Sequence, residues 1–130
     1  MDEIQNILVT GSRHWKDSDT IRSAIEVVAR EFKNLYIVHG GADGADQIAD
    51  EERLVLGIPG RGYAVDHSID GPWPGAGPKR NARMLRDIGP VLVLAFWDGR
   101  RERCGTLDMV ERAIKAGVPV RVYPEDKTGE

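Results

Sequence analysis

Apolar positions along the chain fall into two rhythms. "NILVTG" (Asn6 to Gly11), "LYIVHG" (Leu35 to Gly40) and "VLVLAF" (Val91 to Phe96) are unbroken apolar runs of strand length, as expected of strands covered on both faces. After each run, apolar residues recur at helical spacing: Ile21, Ala24, Ile25, Val28 and Phe32; then Ala45, Ile48, Ala49 and Leu56; then Leu107, Val110 and Ile114. Each stripe predicts a helix. Asp17, Ser18 and Asp19 are available to cap the first, while Gly57 with Pro59 stops the second and Gly117 the last. "GYAV" (62–65) reads as a weaker strand, and the glycine- and proline-rich "DHSIDGPWPGAG" after it reads as a surface loop. Pro78 is placed to open a further helix through "KRNARMLRDI", ended by Gly89 and Pro90; "VPVRVY" closes the sheet and "PEDKTGE" frays.

Five strands alternating with four helices predict an α/β fold: a Rossmann-like doubly wound sheet of about five parallel strands with helices on both faces. With no linker-like stretch or repeat, residues 1–130 are expected to form one domain. Sites in such folds gather at the carboxyl ends of the strands. There the chain places "TGSRHW", "HGGADGAD" and "FWDGRRERCGT", all rich in glycine, small polar and basic residues. A glycine loop opening a helix offers free N–H groups and the positive end of the helix dipole, which together favour a phosphate. Tight geometry alone is the competing explanation for Gly40, Gly41 and Gly44.

Composition narrows the partners. Eighteen basic against 21 acidic residues leave a net charge of −3, so no overall field draws nucleic acid and any anion site must be local. A single cysteine, Cys104, no signal-peptide pattern in "MDEIQNILVTGSR" and no apolar stretch near the about 20 residues of a membrane span give a cytoplasmic expectation. His14, His39 and His67 lack ligand spacing, so neither a metal nor a cofactor is expected. Cys104 sits in a basic loop without a matched base. Gly11 stands alone after the first strand, without the G-x-G-x-x-G fingerprint of an ordinary NAD dehydrogenase. Asp43 and Asp46 are candidates for ribose hydroxyls, with Asp43 equally suited to cap a helix. Trp15, Trp73 and Trp97 all lie near the proposed edge, where they either stack on a base or cover the rim of the core.

Taken in order, "TGSRHW", "HGGADGAD", "GPKRNARM" and "FWDG…GTLDMVERA" resemble the four motif regions of the SLOG superfamily, and especially of its YspA-like branch. That resemblance spans nearly the whole chain and implies a Rossmann-like fold that binds nucleotides or nucleotide-derived ligands. It implies ligand contacts from Gly11, Ser12 and Arg13 in the first loop and from Gly40, Gly41, Asp43, Gly44 and Asp46 in the second. Arg80 and Asn81 match an arginine-led pair before a helical methionine, here Met84, and that arginine contributes to catalysis in the superfamily's phosphoribohydrolases. Gly99, Gly105 and Thr106 match the phosphate loop, with Thr106 as helix N-cap.

Two departures bear on chemistry. The insertion "RRERC" brings Arg100, Arg101 and Arg103 toward the site, either to clamp a diphosphate or as a solvated flap. Hydrolases of the superfamily carry a glutamate three residues after the phosphate-loop threonine, where this chain has Met109, expected to face the sugar. Asp108 leaves the helix about 100° away. The expectation is therefore binding of a nucleotide or an ADP-ribose-like derivative without turnover, as a sensor or sequestering protein. One alternative is a nucleotide N-glycosidase using Arg80 and Asp108, and the other a DprA-like DNA-binding module. The expected partner is a small nucleotide-derived molecule, with a second copy of the chain left open and neither nucleic acid nor membrane expected. Because Arg80 opens a helix, where a cation opposes the dipole, it is expected to serve a ligand rather than stability.

Overall fold

The computed structural model describes residues 3–98 and 104–125. In chain order these form β1 (Gln5–Gly11), α1 (Ser18–Glu31), β2 (Leu35–His39), α2 (Ala45–Val55), β3 (Gly60–Gly62), α3 (His67–Asp70), α4 (Ala76–Ile88), β4 (Leu92–Phe96), α5 (Gly105–Lys115) and β5 (Val120–Tyr123). Among the described residues, five strands make one sheet in the order β3-β2-β1-β4-β5, and every pairing is parallel. The sheet is therefore the expected Rossmann-like α/β arrangement. Strand order reverses between β1 and β4, and it is at the carboxyl ends of strands flanking such a reversal that folds of this class form their ligand crevice.

The continuous apolar runs are explained by burial on two faces. Ile7, Val9, Ile37, Leu94 and Phe96 pack with Ile21, Ile25 and Val28 of α1 and Ala45 and Ala49 of α2. Leu8, Val38 and Val93, alternating with them, face Met84 of α4 and Met109 and Ala113 of α5. Asp17 caps α1, accepting from the Thr20 N–H at 3.1 Å.

Three local expectations shift. β3 pairs at Gly60–Gly62 rather than through "GYAV", because β2 approaches so closely that a Cβ on Gly60 would overlap the Ile37 carbonyl. Tyr63 continues the ladder by donating its N–H to His39 O at 2.7 Å, then turns its ring into the core beside Val38 and Met84. The loop before α4 contains the short α3, capped by Asp66, whose carboxylate accepts from the Ser68 N–H. Helix α4 starts at Ala76, so Pro78 is its third residue and not its opener; an N–H is dispensable there.

Candidate functional site at the strand-order reversal

Gly11 ends β1 opposite Phe96, and only glycine fits: a Cβ there would lie 2.5 Å from Ala45 Cβ and 2.7 Å from Phe96 O. The next residue ties three elements together. Ser12 donates its N–H to Phe96 O at 3.0 Å, and its own carbonyl accepts from Ala45 N at 3.0 Å and Trp15 N at 3.2 Å. Ser12 O therefore occupies the first N–H of α2, and Ser12 Oγ accepts from His14 N. Gly44, the N-cap of α2, adopts φ +76° against the Ser12 and Arg13 backbone and offers no side-chain cap; Asp43 does not cap the helix.

The "GGADGAD" loop is held by its own carboxylate. Asp46, 5% exposed, accepts through Oδ2 from Gly40 N at 3.1 Å and Ala42 N at 3.2 Å, and its Oδ1 is buried without a hydrogen-bond partner. Burial pushes Asp46 up to about 6, against the opposing pull of the Ala42 and Gly40 donors and of the nearby Arg80. Gly41 N donates to His39 Nδ1 at 3.0 Å, which leaves the ring proton on Nε2, 2.9 Å from Asp50 Oδ1. Three of the loop's N–H groups are thus turned inward, and the loop is no open anion cradle.

Arg80 crosses the same loop. Its Nη1 donates to Gly40 O at 2.6 Å and Tyr63 O at 3.1 Å, and its Nε donates to Asn81 Oδ1 at 3.1 Å. The guanidinium lies against the Gly40 Cα, where a Cβ would stand 2.8–2.9 Å from Nη2, Cζ and Nη1. Against expectation, most of this side chain is committed to the protein: it joins α4 to the ends of β2 and β3. Among the described residues nothing accepts from Nη2.

Asn81 carries the connection onward. Its Nδ2 donates to Gly105 O at 3.3 Å and Asp108 Oδ2 at 3.0 Å, while Arg112 Nε donates to the same Asp108 oxygen at 2.8 Å. Cys104, not Thr106, is the N-cap of α5: its Sγ accepts from Leu107 N at 3.4 Å. Thr106 is the second residue of the helix and is buried. The N–H groups of Gly105 and Thr106 have no acceptor among the described residues, and a Cβ on Gly105 would meet none of the described residues within 4 Å. Met109 is fully buried between Met84 and Val93, so it belongs to the core and does not face a sugar. Gly99, Arg100, Arg101 and Arg103 lie outside the described residues.

The predicted residues thus divide by role. Gly11, Ser12 and Gly44 are knit to Phe96 and Ala45 at the ends of β1 and β4; Gly40, Asp46 and Arg80 brace the loop after β2; Gly105 and Thr106 begin α5 with N–H groups that meet no acceptor among the described residues; Arg13, Gly41 and Asp43 are exposed. His39, Tyr63 and Cys104 brace the site without having been assigned to it from sequence. His39 directly precedes the paired glycines, and that adjacency was the only available signal. Trp15 and Trp97 are buried, the former edge-on to Phe96 at 5.7 Å, whereas Trp73 is exposed. Among the described residues no group of three or more His, Cys, Asp or Glu is placed to hold a metal ion, and no helix is long and apolar enough to cross a membrane.

The parallel sheet, its reversal of strand order and the helices on both faces define a Rossmann-like domain. The chain belongs to the YspA, cpYpsA-related SLOG family, whose family model matches residues 5–51. It is 42% identical over 123 residues to the Gene 61 protein of Mycobacterium phage D29, an alignment covering 90% of this chain and 94% of that protein. The X-ray structure of DNA processing protein A (DprA) from Streptococcus pneumoniae is similar over 97% of this chain, with a TM-score of 0.72 and 21% identity. The chain spans about half, 52%, of that DprA chain, and the likeness is one of fold.

Proposed function

We propose that the protein binds a nucleotide or an ADP-ribose-like nucleotide derivative in the crevice between β1 and β4, with a phosphate on the N-terminus of α5. The observation that carries this reading is the contrast between the two helix starts at the crevice. The first N–H of α2 is occupied by the Ser12 carbonyl, whereas Gly105 and Thr106 of α5 meet no acceptor among the described residues. Unsatisfied donors at the positive end of an 11-residue helix attract an anion. The Arg80 Nη2 edge beside the loop adds a cation that can reach a second phosphate or a ribose oxygen.

Binding without turnover is favoured by how the carboxylates are used. Asp108 already accepts from Asn81 and Arg112, and Asp46 is buried with Oδ2 held by Gly40 and Ala42, which argues against either stabilising a sugar cation. Calorimetric titration with AMP, ADP and ADP-ribose, followed by chromatography for released base, tests both parts. Saturable binding with no free base is expected. Absence of binding to all three overturns the nucleotide reading, and multiple turnovers overturn the non-catalytic one.

A further inference from the structure

Trp73 is 63% exposed, and Ile69 on the same loop is equally so, in a chain that buries its other two tryptophans. An exposed indole on a floppy loop would mean little, but this loop is braced. Asp70, 2% exposed, is gripped by Arg83 through Nε at 2.9 Å and Nη2 at 2.7 Å, and it also accepts from Asp66 N at 2.9 Å. His67 Nδ1 bonds Gly71 O at 2.7 Å, and Ala76 N donates to Pro72 O at 3.1 Å. The indole itself stands edge-on to the His67 ring, with centroids 5.3 Å apart and planes at 76°, over the Gly77 Cα, where a Cβ would lie 3.6 Å from Cζ3. A braced indole face open to water is a surface suited to stacking on a ligand.

Its place in the fold says which ligand. The loop leaves β3 at the carboxyl edge and runs into the first turn of α4, where Gly77 supports Trp73. Arg80 and Asn81 follow one helical turn later, and Asn81 reaches the Gly105 carbonyl at the start of α5. Trp73 therefore stands over Gly77 at the start of α4, one helical turn before the Asn81 that reaches the start of α5, where the phosphate is proposed. Resting on the nucleotide reading above, we propose that Trp73 is the stacking platform for the base of the bound nucleotide, and that it selects purine over pyrimidine nucleotides through the larger stacked face.

Tryptophan emission gives a direct readout, because Trp15 and Trp97 are buried. The probes are AMP, CMP and ribose 5-phosphate, titrated into the wild-type chain, Trp73→Phe and Trp73→Ala. We expect AMP to change emission and protect it from acrylamide in the wild type, with that signal gone in Trp73→Phe. By calorimetry, Trp73→Ala should weaken AMP roughly 5- to 100-fold, the range of one base–aromatic stack, and leave ribose 5-phosphate unchanged. In the wild type, AMP should bind more tightly than CMP. Equal affinities for AMP and ribose 5-phosphate, or an AMP affinity unaffected by Trp73→Ala, would overturn the platform while leaving the phosphate site standing. If neither compound binds, the nucleotide reading fails and the platform with it. Emission that shifts with protein concentration and not with AMP would assign the surface to contact between copies of the chain, and would likewise overturn the proposal.

Discussion

At Asp46 one carboxylate oxygen is tied to Gly40 N and Ala42 N, while the other is buried with no partner, and burial lifts the group to about 6. An unfolded aspartate titrates near about 3.9, so between that pH and about 6 the folded chain holds the extra proton. Stability from this group is therefore complete below about pH 4 and is lost as pH rises through 6, by on the order of 2–3 kcal/mol. Asp46→Asn keeps an oxygen for the two N–H donors and removes the buried charge. Urea unfolding of both proteins at pH 4, 5, 6 and 7.5 should show the variant gaining on the wild type across this window; parallel profiles would contradict the assignment. Sequence could not reveal this. Asp46 was legible as a residue of the glycine loop, but its role as the loop's internal anion depends on Gly40 and Ala42 folding back onto it. The same holds for Thr106 and Cys104: the "GT" pair marks a helix start, yet the three-residue reach of a Cys104 Sγ cap displaces the threonine into a buried second position.

Among elements, α4 packs on the sheet through Met84 and is tied to the strand ends through Arg80. Arg80 bonds carbonyls at the ends of β2 and β3 and the amide of Asn81, which in turn holds α5. Removing it orphans acceptors in a half-buried place, so Arg80→Ala should cost the ligand-free protein about 2–3 kcal/mol, as lost charge-assisted bonds typically do. Thermal and urea unfolding check this; an unchanged melting temperature would return Arg80 to a purely ligand-serving role, but not on the dipole argument, since α4 starts at Ala76 and Arg80, its fifth residue, lies past the first turn. At this scale the chain was largely readable. "NILVTG", "LYIVHG" and "VLVLAF" became β1, β2 and β4 because strands buried on both faces leave an unbroken apolar record, and Gly57, Gly89 and Gly117 stop their helices with φ of +73°, +57° and +78°. β3 slipped because its pairing is decided by clearance at Gly60 and not by the apolarity of "GYAV". α3 escaped notice because four residues hold too few positions to show a period.

For the molecule as a whole, the strand order β3-β2-β1-β4-β5 places the reversal at β1 and β4, and two loops with opposite fates meet there. The second loop, glycine-rich and inviting to a phosphate in sequence, is closed by Asp46, His39 and Arg80; at the quieter "CGT" start of α5, Cys104 Sγ takes the Leu107 N–H while those of Gly105 and Thr106 meet no acceptor among the described residues. The central claim is that the anion sits on Gly105 and Thr106. Substitution at Gly105 tests it with least damage, since a Cβ there meets none of the described residues within 4 Å and Gly105 does not take a left-handed φ. A carboxylate at this first helical position also favours the helix through its dipole, so loss of binding cannot be blamed on unfolding. The measurement is AMP affinity by calorimetry for the wild type, Gly105→Ala and Gly105→Asp at low ionic strength. The predicted result is near-wild-type affinity for Gly105→Ala and at least about a tenfold loss for Gly105→Asp, from like-charge repulsion at contact distance that added salt partly relieves. Equal affinity in all three proteins would contradict the phosphate assignment.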